Sequence, residues 1–181
     1  MKKRHIVPVL FLLLAGLIAC STVPPAAQRP IADPAQDRRI VTTIFKLLLD
    51  DELTRDLCLN PRCYNGHACL VGEYEEEAQK TRAIEIARNV EGVRSLDTFL
   101  LPARENGPDG AAEDMRISSE VKELLKKEEN IAWPFFDVIS VQGTVVLVGI
   151  VRSEEAAEHA TGLARDITGV QQVISFLQTI Q

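Results

Sequence analysis

The sequence is poor in aromatic residues, clustered metal ligands and long apolar runs. Phe, Tyr and Trp make up 5% of the 181 residues, too few for a base-stacking surface. The four Cys and three His are scattered, so a zinc scaffold is not expected. No apolar run reaches the roughly 18 residues that a membrane-spanning helix needs. The length of 181 residues is enough for one ordinary domain or two small ones.

Basic charge is scarce as well. The chain has 20 Lys and Arg against 26 Asp and Glu, a net charge of −6. Without Lys2, Lys3 and Arg4, which belong to the leader inferred below, the count is 17 against 26, a net charge of −9. Nucleic-acid binding depends on neutralising phosphates. A nucleic-acid partner is therefore not expected.

The first twenty residues have the pattern of an export signal. Met1–His5 is basic, and Ile6–Ala19 is an almost wholly apolar stretch with the length of a signal-peptide core. It runs into Leu17-Ile18-Ala19-Cys20, which resembles a bacterial lipobox. A plain secretory signal followed by an incidental Cys is the alternative.

The lipobox resemblance implies a lipid anchor. Residues 1–19 would be removed, the Cys20 thiol would receive a diacylglycerol, and its freed amino group would receive a fatty acid such as palmitate. Ser21 at the next position favours the outer membrane, with the domains facing the periplasm. The Pro-rich segment 20–36 is expected to be a semi-rigid tether.

The rest of the chain contains one unit twice. Residues 37–100 and 114–177 align without a gap at a shift of 77 positions, with 18 identities in 64 positions. The identical pairs include Gly66/Gly143, Leu70/Leu147, Val71/Val148, Gly72/Gly149, Ala87/Ala164, Arg88/Arg165, Gly92/Gly169 and Phe99/Phe176. We therefore expect two domains of one fold, 37–101 and 114–181, joined by a Gly-, Pro- and Ala-containing linker, 102–113.

Each copy predicts a helix, a hairpin, a second helix and a final strand. A stripe of apolar residues predicts the first helix, with Asp37 and Asp114 as expected N-caps. Asn65-Gly66 and Gln142-Gly143 predict tight hairpin turns, and Gly72 and Gly149 predict close approach of a helix or backbone. The fold class is α+β, two αββαβ units in which two helices pack on a three-stranded mixed sheet; we expect the two units to pack against each other.

These features together resemble the BON domain, a small module of bacterial periplasmic and outer-membrane proteins. The resemblance rests on Gly143-Thr144-Val145-Val146-Leu147-Val148-Gly149 and on Leu163-Ala164 followed by Gly169-Val170. With the lipobox, the layout is similar to dual-BON outer-membrane lipoproteins. The first copy departs from the pattern, because Pro61 interrupts its first strand. That copy is therefore expected to be degenerate, covering its sibling.

No catalytic residue, metal site or cofactor is expected. Cys63, His67 and Cys69 lie close in sequence, but the hairpin register places Cys63 on the face opposite His67 and Cys69. No Ser/His/Asp or Cys/His triad is suggested. Regular strands do not favour a disulfide. If a turn at Asn60-Pro61 brings two thiols together, Cys58–Cys63 is the first choice of bridge.

The resemblance implies phospholipid binding in the second copy. Dual-BON lipoproteins are thought to bind anionic phospholipid around the first helix of that copy. Here the candidate residues are three lysines on or after the helix and two nearby aromatic residues: Lys122, Lys126, Lys127, Trp133 and Phe135.

Two classes of function follow. The first is a non-catalytic envelope module that binds phospholipid or supports outer-membrane integrity and biogenesis, with outer-membrane assembly proteins as candidate partners. The second is a periplasmic protein–protein adaptor or chaperone-like factor without lipid preference.

Overall fold

The computed structural model of the protein describes residues 33–104, 107–129, 131 and 135–179. The first domain contains α1 (Pro34–Asp50), β1 (Leu59–Tyr64), β2 (His67–Tyr74), α2 (Glu77–Arg88) and β3 (Ser95–Pro102). The second contains α3 (Gly107–Leu125), β4 (Phe136–Val141), β5 (Thr144–Val151), α4 (Glu154–Arg165) and β6 (Gln172–Thr179). In these residues no helix is both long and apolar enough to cross a bilayer.

Both sheets have the predicted topology. The strand orders are β1-β2-β3 and β4-β5-β6, with an antiparallel hairpin followed by a parallel third strand. The first hairpin pairs Tyr64 with His67, Cys63 with Ala68, and Arg62 with Cys69. The α+β fold class and the register of the first hairpin are therefore confirmed.

Both predicted N-caps are wrong. The residue that caps α1 is Asp33, whose side chain accepts the backbone N–H groups of Ala35 and Gln36. Pro34 then opens the helix, where its fixed φ suits the first turn. Asp114 lies inside α3, because that helix begins within the segment expected to be linker. Both helices thus start earlier than the repeat boundary suggested.

The first strand of the first copy forms despite Pro61. It is an edge strand, so one side of its backbone needs no N–H donor for a neighbouring strand. The expected disruption of this strand is not seen.

Gly72 and Gly149 are sites of close approach, but the neighbour is a strand and not a helix. A Cβ at Gly72 would lie 2.3 Å from the Cys58 carbonyl oxygen, and one at Gly149 would lie 2.3 Å from the Phe135 carbonyl oxygen. Their φ angles of +158° and +143° are also ones that other residues rarely adopt. Both glycines therefore let the edge strand begin directly against its neighbour.

The two domains pack sheet against sheet. Alternate residues of β2, Ala68 and Leu70, face the helices of their own domain. The residues between them, Cys69 and Val71, join a shared cluster with Ile139, Val141, Val146 and Val148 of the second domain. β5 is buried on both faces for the same reason. The predicted packing of the two copies is confirmed, as four layers: helices, sheet, sheet, helices.

Candidate functional site

Asp37 fastens α1 to the first hairpin. Its buried carboxylate accepts the backbone N–H groups of Asn65 at 2.7 Å and Gly66 at 2.8 Å, and the Cys63 thiol donates to it at 3.3 Å. Asn65 and Gly66 both have positive φ, as a type I′ hairpin turn requires. The carboxylate thus satisfies two turn donors that would otherwise lack partners.

Asp114 makes the same connection in the second domain and adds two more. It accepts the N–H groups of Gln142 and Gly143 at 2.9 Å, the Ser140 hydroxyl at 2.6 Å and the Arg104 guanidinium at 2.6 Å. Burial raises the pKa of this carboxyl, but the four hydrogen bonds outweigh burial and hold its pKa below the ordinary value. We call the arrangement at Asp37 and Asp114 the helix-to-turn clamp.

The second clamp is also connected to the first domain. Arg104 lies 2.8 Å from Glu73 at the end of β2 as well as 2.6 Å from Asp114. Gln142 in the second hairpin turn donates to Glu73 at 2.9 Å and to the Pro102 carbonyl at 2.7 Å. These polar contacts border the apolar sheet–sheet cluster and fix the register between the domains.

A groove of about 370 Å³ lies between the domains. Arg62 and Lys122, which line it, both pair at 2.5 Å with Asp137. Burial raises the Asp137 pKa, but the bonds from Lys122 and Arg62 outweigh it and the pKa lies below its ordinary value. The third lining cation, Arg104, pairs with Glu73 and Asp114. Each cation among the described lining residues is paired with a carboxylate, so none of them is left unpaired to bind an anion.

The predicted lipid-binding residues differ in whether they form an ion pair within the protein. Lys122 pairs with Asp137, and Lys126 pairs with Glu123 at 2.6 Å. Lys127 is exposed in the turn after α3, and Phe135 is 36% exposed immediately before β4. Trp133 lies outside the described residues.

A different surface combines exposed apolar and basic side chains. Phe45 and Leu49 on α1 are 50% and 48% exposed, and they stand one turn apart, about 6 Å along the axis. Arg38 shares their face because it is seven residues before Phe45, and the exposed Arg39 and Lys46 lie beside it. None of the three cations forms an ion pair with a described residue. We call these five residues the α1 surface.

The structure brings together one Ser, His and Asp arrangement that the sequence did not suggest. His67 Nδ1 lies 2.5 Å from the Ser95 hydroxyl, and His67 Nε2 lies 2.7 Å from an Asp97 carboxylate oxygen. The three meet because β2 and β3 pair in parallel, with His67 opposite Ser95. Ser95 and Asp97 alternate along β3, a pattern that points to the site only once strand pairing is known. All three residues lie on regular strands, and the arrangement holds the imidazole in place.

All three described thiols are free, and two of them are buried. Burial raises the pKa of both Cys63 and Cys69 to about 12, with the Asp37 charge adding to the effect at Cys63. No group of three or more metal-ligating side chains is found in the described part of the chain. Cys58 is exposed at the groove.

The structure is a tandem repeat of two αββαβ units that pack sheet to sheet, each with a helix-to-turn clamp. Its exposed helix surfaces are candidates for binding. The BON domain model matches residues 36–100 and 113–181, and the chain belongs to the BON domain family.

Three curated relatives align with most of the chain. Osmotically-inducible protein Y of Escherichia coli (strain K12) is 28% identical over 79% of this chain and 72% of its own. The 21 kDa hemolysin of Actinobacillus pleuropneumoniae is 25% identical over 87% and 79%. Outer membrane lipoprotein DolP of Haemophilus influenzae is 25% identical over 85% and 78%. Among solved structures, the C-terminal domain of CdsD from Chlamydia trachomatis gives a TM-score of only 0.34 at 13% identity, over 80% of this chain and 67% of that chain.

Proposed function

We propose that this chain is a non-catalytic outer-membrane lipoprotein, anchored through Cys20 and facing the periplasm, whose first domain binds anionic phospholipid through the α1 surface. In this role it supports the integrity and biogenesis of the outer membrane. The lipobox-like sequence and the similarity to a protein named outer membrane lipoprotein DolP support the anchor. Two or more acyl chains suffice for stable anchoring.

The observation that carries the proposal is the composition of the α1 surface. Phe45 and Leu49 are large, exposed and apolar, and three cations without an ion-pair partner among the described residues stand beside them. A helix with Phe and Leu next to Arg and Lys is suited to lie in the interface of an anionic bilayer, where its apolar side chains enter the headgroup region. The rest of the chain is acidic, so attraction to anionic lipid must be local.

The second-domain residues predicted from the resemblance remain a separate candidate surface. Lys127 and Phe135 are exposed there. Lys122 already has a carboxylate partner, and an anionic headgroup would have to compete with Asp137 for it. The exposed basic charge of that surface is therefore smaller than that of the α1 surface.

Flotation of the chain from Ala26 with liposomes tests the proposal, because this chain lacks Cys20. Vesicles containing phosphatidylglycerol should carry the protein upward at modest salt, and vesicles of phosphatidylcholine alone should not. The variant Arg38→Glu/Arg39→Glu/Lys46→Glu should lose flotation. Lys122→Glu/Lys126→Glu/Lys127→Glu changes the charge by the same amount and is the matched comparison.

The outcomes separate the two surfaces. Loss of flotation in the α1 variant alone supports the α1 surface, and loss in the second-domain variant alone moves the site to the residues predicted from the sequence. Failure of the parent to float with either vesicle refutes phospholipid binding and favours the adaptor function. Cys20→Ala in the full chain should abolish incorporation of labelled palmitate; continued labelling would refute the anchor.

A further inference from the structure

Each sheet has two edge strands, and three of the four carry residues that discourage pairing with another strand. β1 contains Pro61 and Arg62, β3 contains Asp97 and Pro102, and β4 contains Asp137. Proline and charge on an edge are the usual protection against unwanted strand addition. β6 has neither in its eight residues, Gln-Val-Ile-Ser-Phe-Leu-Gln-Thr.

β6 also has a free side. It pairs with β5 in parallel, and no described strand lies on its other side. Its apolar residues Val173, Ile174, Phe176 and Leu177 are only half-buried, whereas every residue of the neighbouring strand β5 is buried. Unpaired backbone donors and acceptors along eight residues, beside half-covered apolar side chains, are what a further strand would satisfy.

The sequence of β6 matches itself in reverse. Around Ser175, the residues read Gln, apolar, apolar, Ser, apolar, apolar, Gln in both directions. We propose that β6 pairs antiparallel with β6 of a second copy of this chain, about a two-fold axis at Ser175. Residues that face each other in an antiparallel pair lie on the same face of the sheet, and this register meets that condition.

The proposed pairing places apolar residues opposite apolar residues and glutamine opposite glutamine. Ile174 lies opposite Phe176 of the partner copy on one face, and Val173 lies opposite Leu177 of the partner copy on the other. Gln172 lies opposite Gln178 of the partner copy, so no charge is brought into the interface. The second-domain sheet of one copy joins the second-domain sheet of the other copy to form one six-stranded sheet. The interface is isologous, as a closed dimer requires.

β3 provides an internal comparison, since it is the edge strand of the same position in the first domain. Thr98 corresponds to Ser175 at the shift of 77. The same two-fold pairing at Thr98 would bring Asp97 opposite Phe99 of the partner copy and desolvate the carboxylate. The inference is thus specific to β6.

Cross-linking tests the register in the chain from Ala26 carrying Cys58→Ser, which removes the exposed native thiol. With Ser175→Cys, the two sulfurs would meet across the axis, where Cα atoms about 4.5–5.5 Å apart permit a disulfide. Mild oxidation should yield a covalent dimer. Thr98→Cys is the matched control and should remain monomeric.

Sedimentation equilibrium tests the pairing without a new thiol. Gln172→Lys with Gln178→Lys creates two like-charge contacts per dimer and should weaken association about tenfold. Gln172→Glu with Gln178→Lys creates two opposite-charge contacts and should preserve association. Both variants should keep the circular dichroism of the parent, because Gln172 is exposed and Gln178 half-exposed.

A parent chain that sediments as a monomer at all concentrations overturns the proposal. So does a dimer that forms equally well in both double variants, or a disulfide at Thr98→Cys as efficient as the one at Ser175→Cys. Liposome flotation is unaffected by any of these outcomes, so this test fails or succeeds independently of the proposed lipid binding.

Discussion

The first helices of the two domains share a core and differ on the surface. Ile40 and Ile44 of α1 are buried, as are their counterparts Ile117 and Val121 in α3. At the exposed positions the residues change character: Phe45 corresponds to Lys122, Leu49 to Lys126 and Lys46 to Glu123. The buried residues are alike in the two copies, whereas the residues on the exposed flank of the helix differ.

The difference extends to partners. Lys122 of α3 and Lys126 in the turn after it are each paired with a carboxylate of their own domain. The apolar residues and cations of the α1 surface have no such pairing among the described residues. Side chains that form ion pairs within their own domain contribute to the stability of that domain. The side chains of the α1 surface form no such ion pairs with described residues and are available to a ligand. This contrast favours the first domain as the lipid-binding one, although the family resemblance implied phospholipid binding in the second copy.

The largest effect is expected at the helix-to-turn clamp. Asp37→Ala leaves two turn N–H groups without an acceptor and should lower the free energy of unfolding by about 2 kcal/mol. Asp114→Ala also deprives Ser140 and Arg104 of a partner and should cost about 3 kcal/mol or more. Urea unfolding measures both, with Asp33→Ala, an ordinary N-cap loss of about 1 kcal/mol, as the control. Losses no larger than that of Asp33→Ala would show that the helix-to-turn clamp contributes no more to stability than an ordinary N-cap.

The second effect concerns the repeated glycines. Gly72→Val and Gly149→Val should each cost about 1–3 kcal/mol, because the new Cβ would collide with the carbonyl oxygen of the residue just before the adjacent edge strand. Gly162→Ala on α4 is the control: apart from the adjoining stretch of its own helix, no heavy atom of the described residues lies within 4 Å of its added Cβ, and Ala should stabilise the helix by up to about 1 kcal/mol. Unchanged melting of both valine variants would contradict the close approach.

The sequence predicted the repeated features well and the connections between them poorly. Glycine spacing and apolar period gave the element order and the hairpin register, since both depend on local geometry. The roles of Asp37 and Asp114 were missed because an acidic residue at the start of an apolar stripe looks like an N-cap. Their true partners lie 28 and 29 residues away. Ion pairs such as Arg62 with Asp137, 75 residues apart, depend on domain packing that no local pattern encodes.

Acid should weaken the second domain and its contacts with the first. The pKa values of Asp114 and Asp137 lie below the ordinary value of about 4. A lowered carboxyl pKa contributes stability that is present above the unfolded-state pKa and is lost as the pH falls through the folded-state value. The free energy of unfolding should therefore decline below about pH 4.

Asp137→Asn measures how much the Asp137 carboxylate contributes to this loss of stability in acid. The variant should be less stable than the parent at neutral pH, because Arg62 and Lys122 lose their shared partner. Its stability should also fall less steeply in acid, because one of the carboxylates with a lowered pKa is gone. Unfolding in urea at a series of pH values measures both slopes, and parallel curves for parent and variant would exclude Asp137 as a source of the acid response.

The smallest effect on stability, and the sharpest test of the comparison, comes from giving α1 the exposed residues of α3. Phe45→Lys with Leu49→Lys replaces two half-exposed apolar side chains, so the free energy of unfolding should change by no more than about 0.5 kcal/mol. Flotation with phosphatidylglycerol vesicles should nevertheless fall, even though the net basic charge of α1 increases, because neither apolar side chain of the α1 surface remains to enter the headgroup region. Phe45→Leu with Leu49→Ile keeps the surface apolar and should float like the parent. Stronger flotation of the lysine variant would show that charge alone holds the protein on the vesicle, and the apolar half of the α1 surface would then have no part in binding.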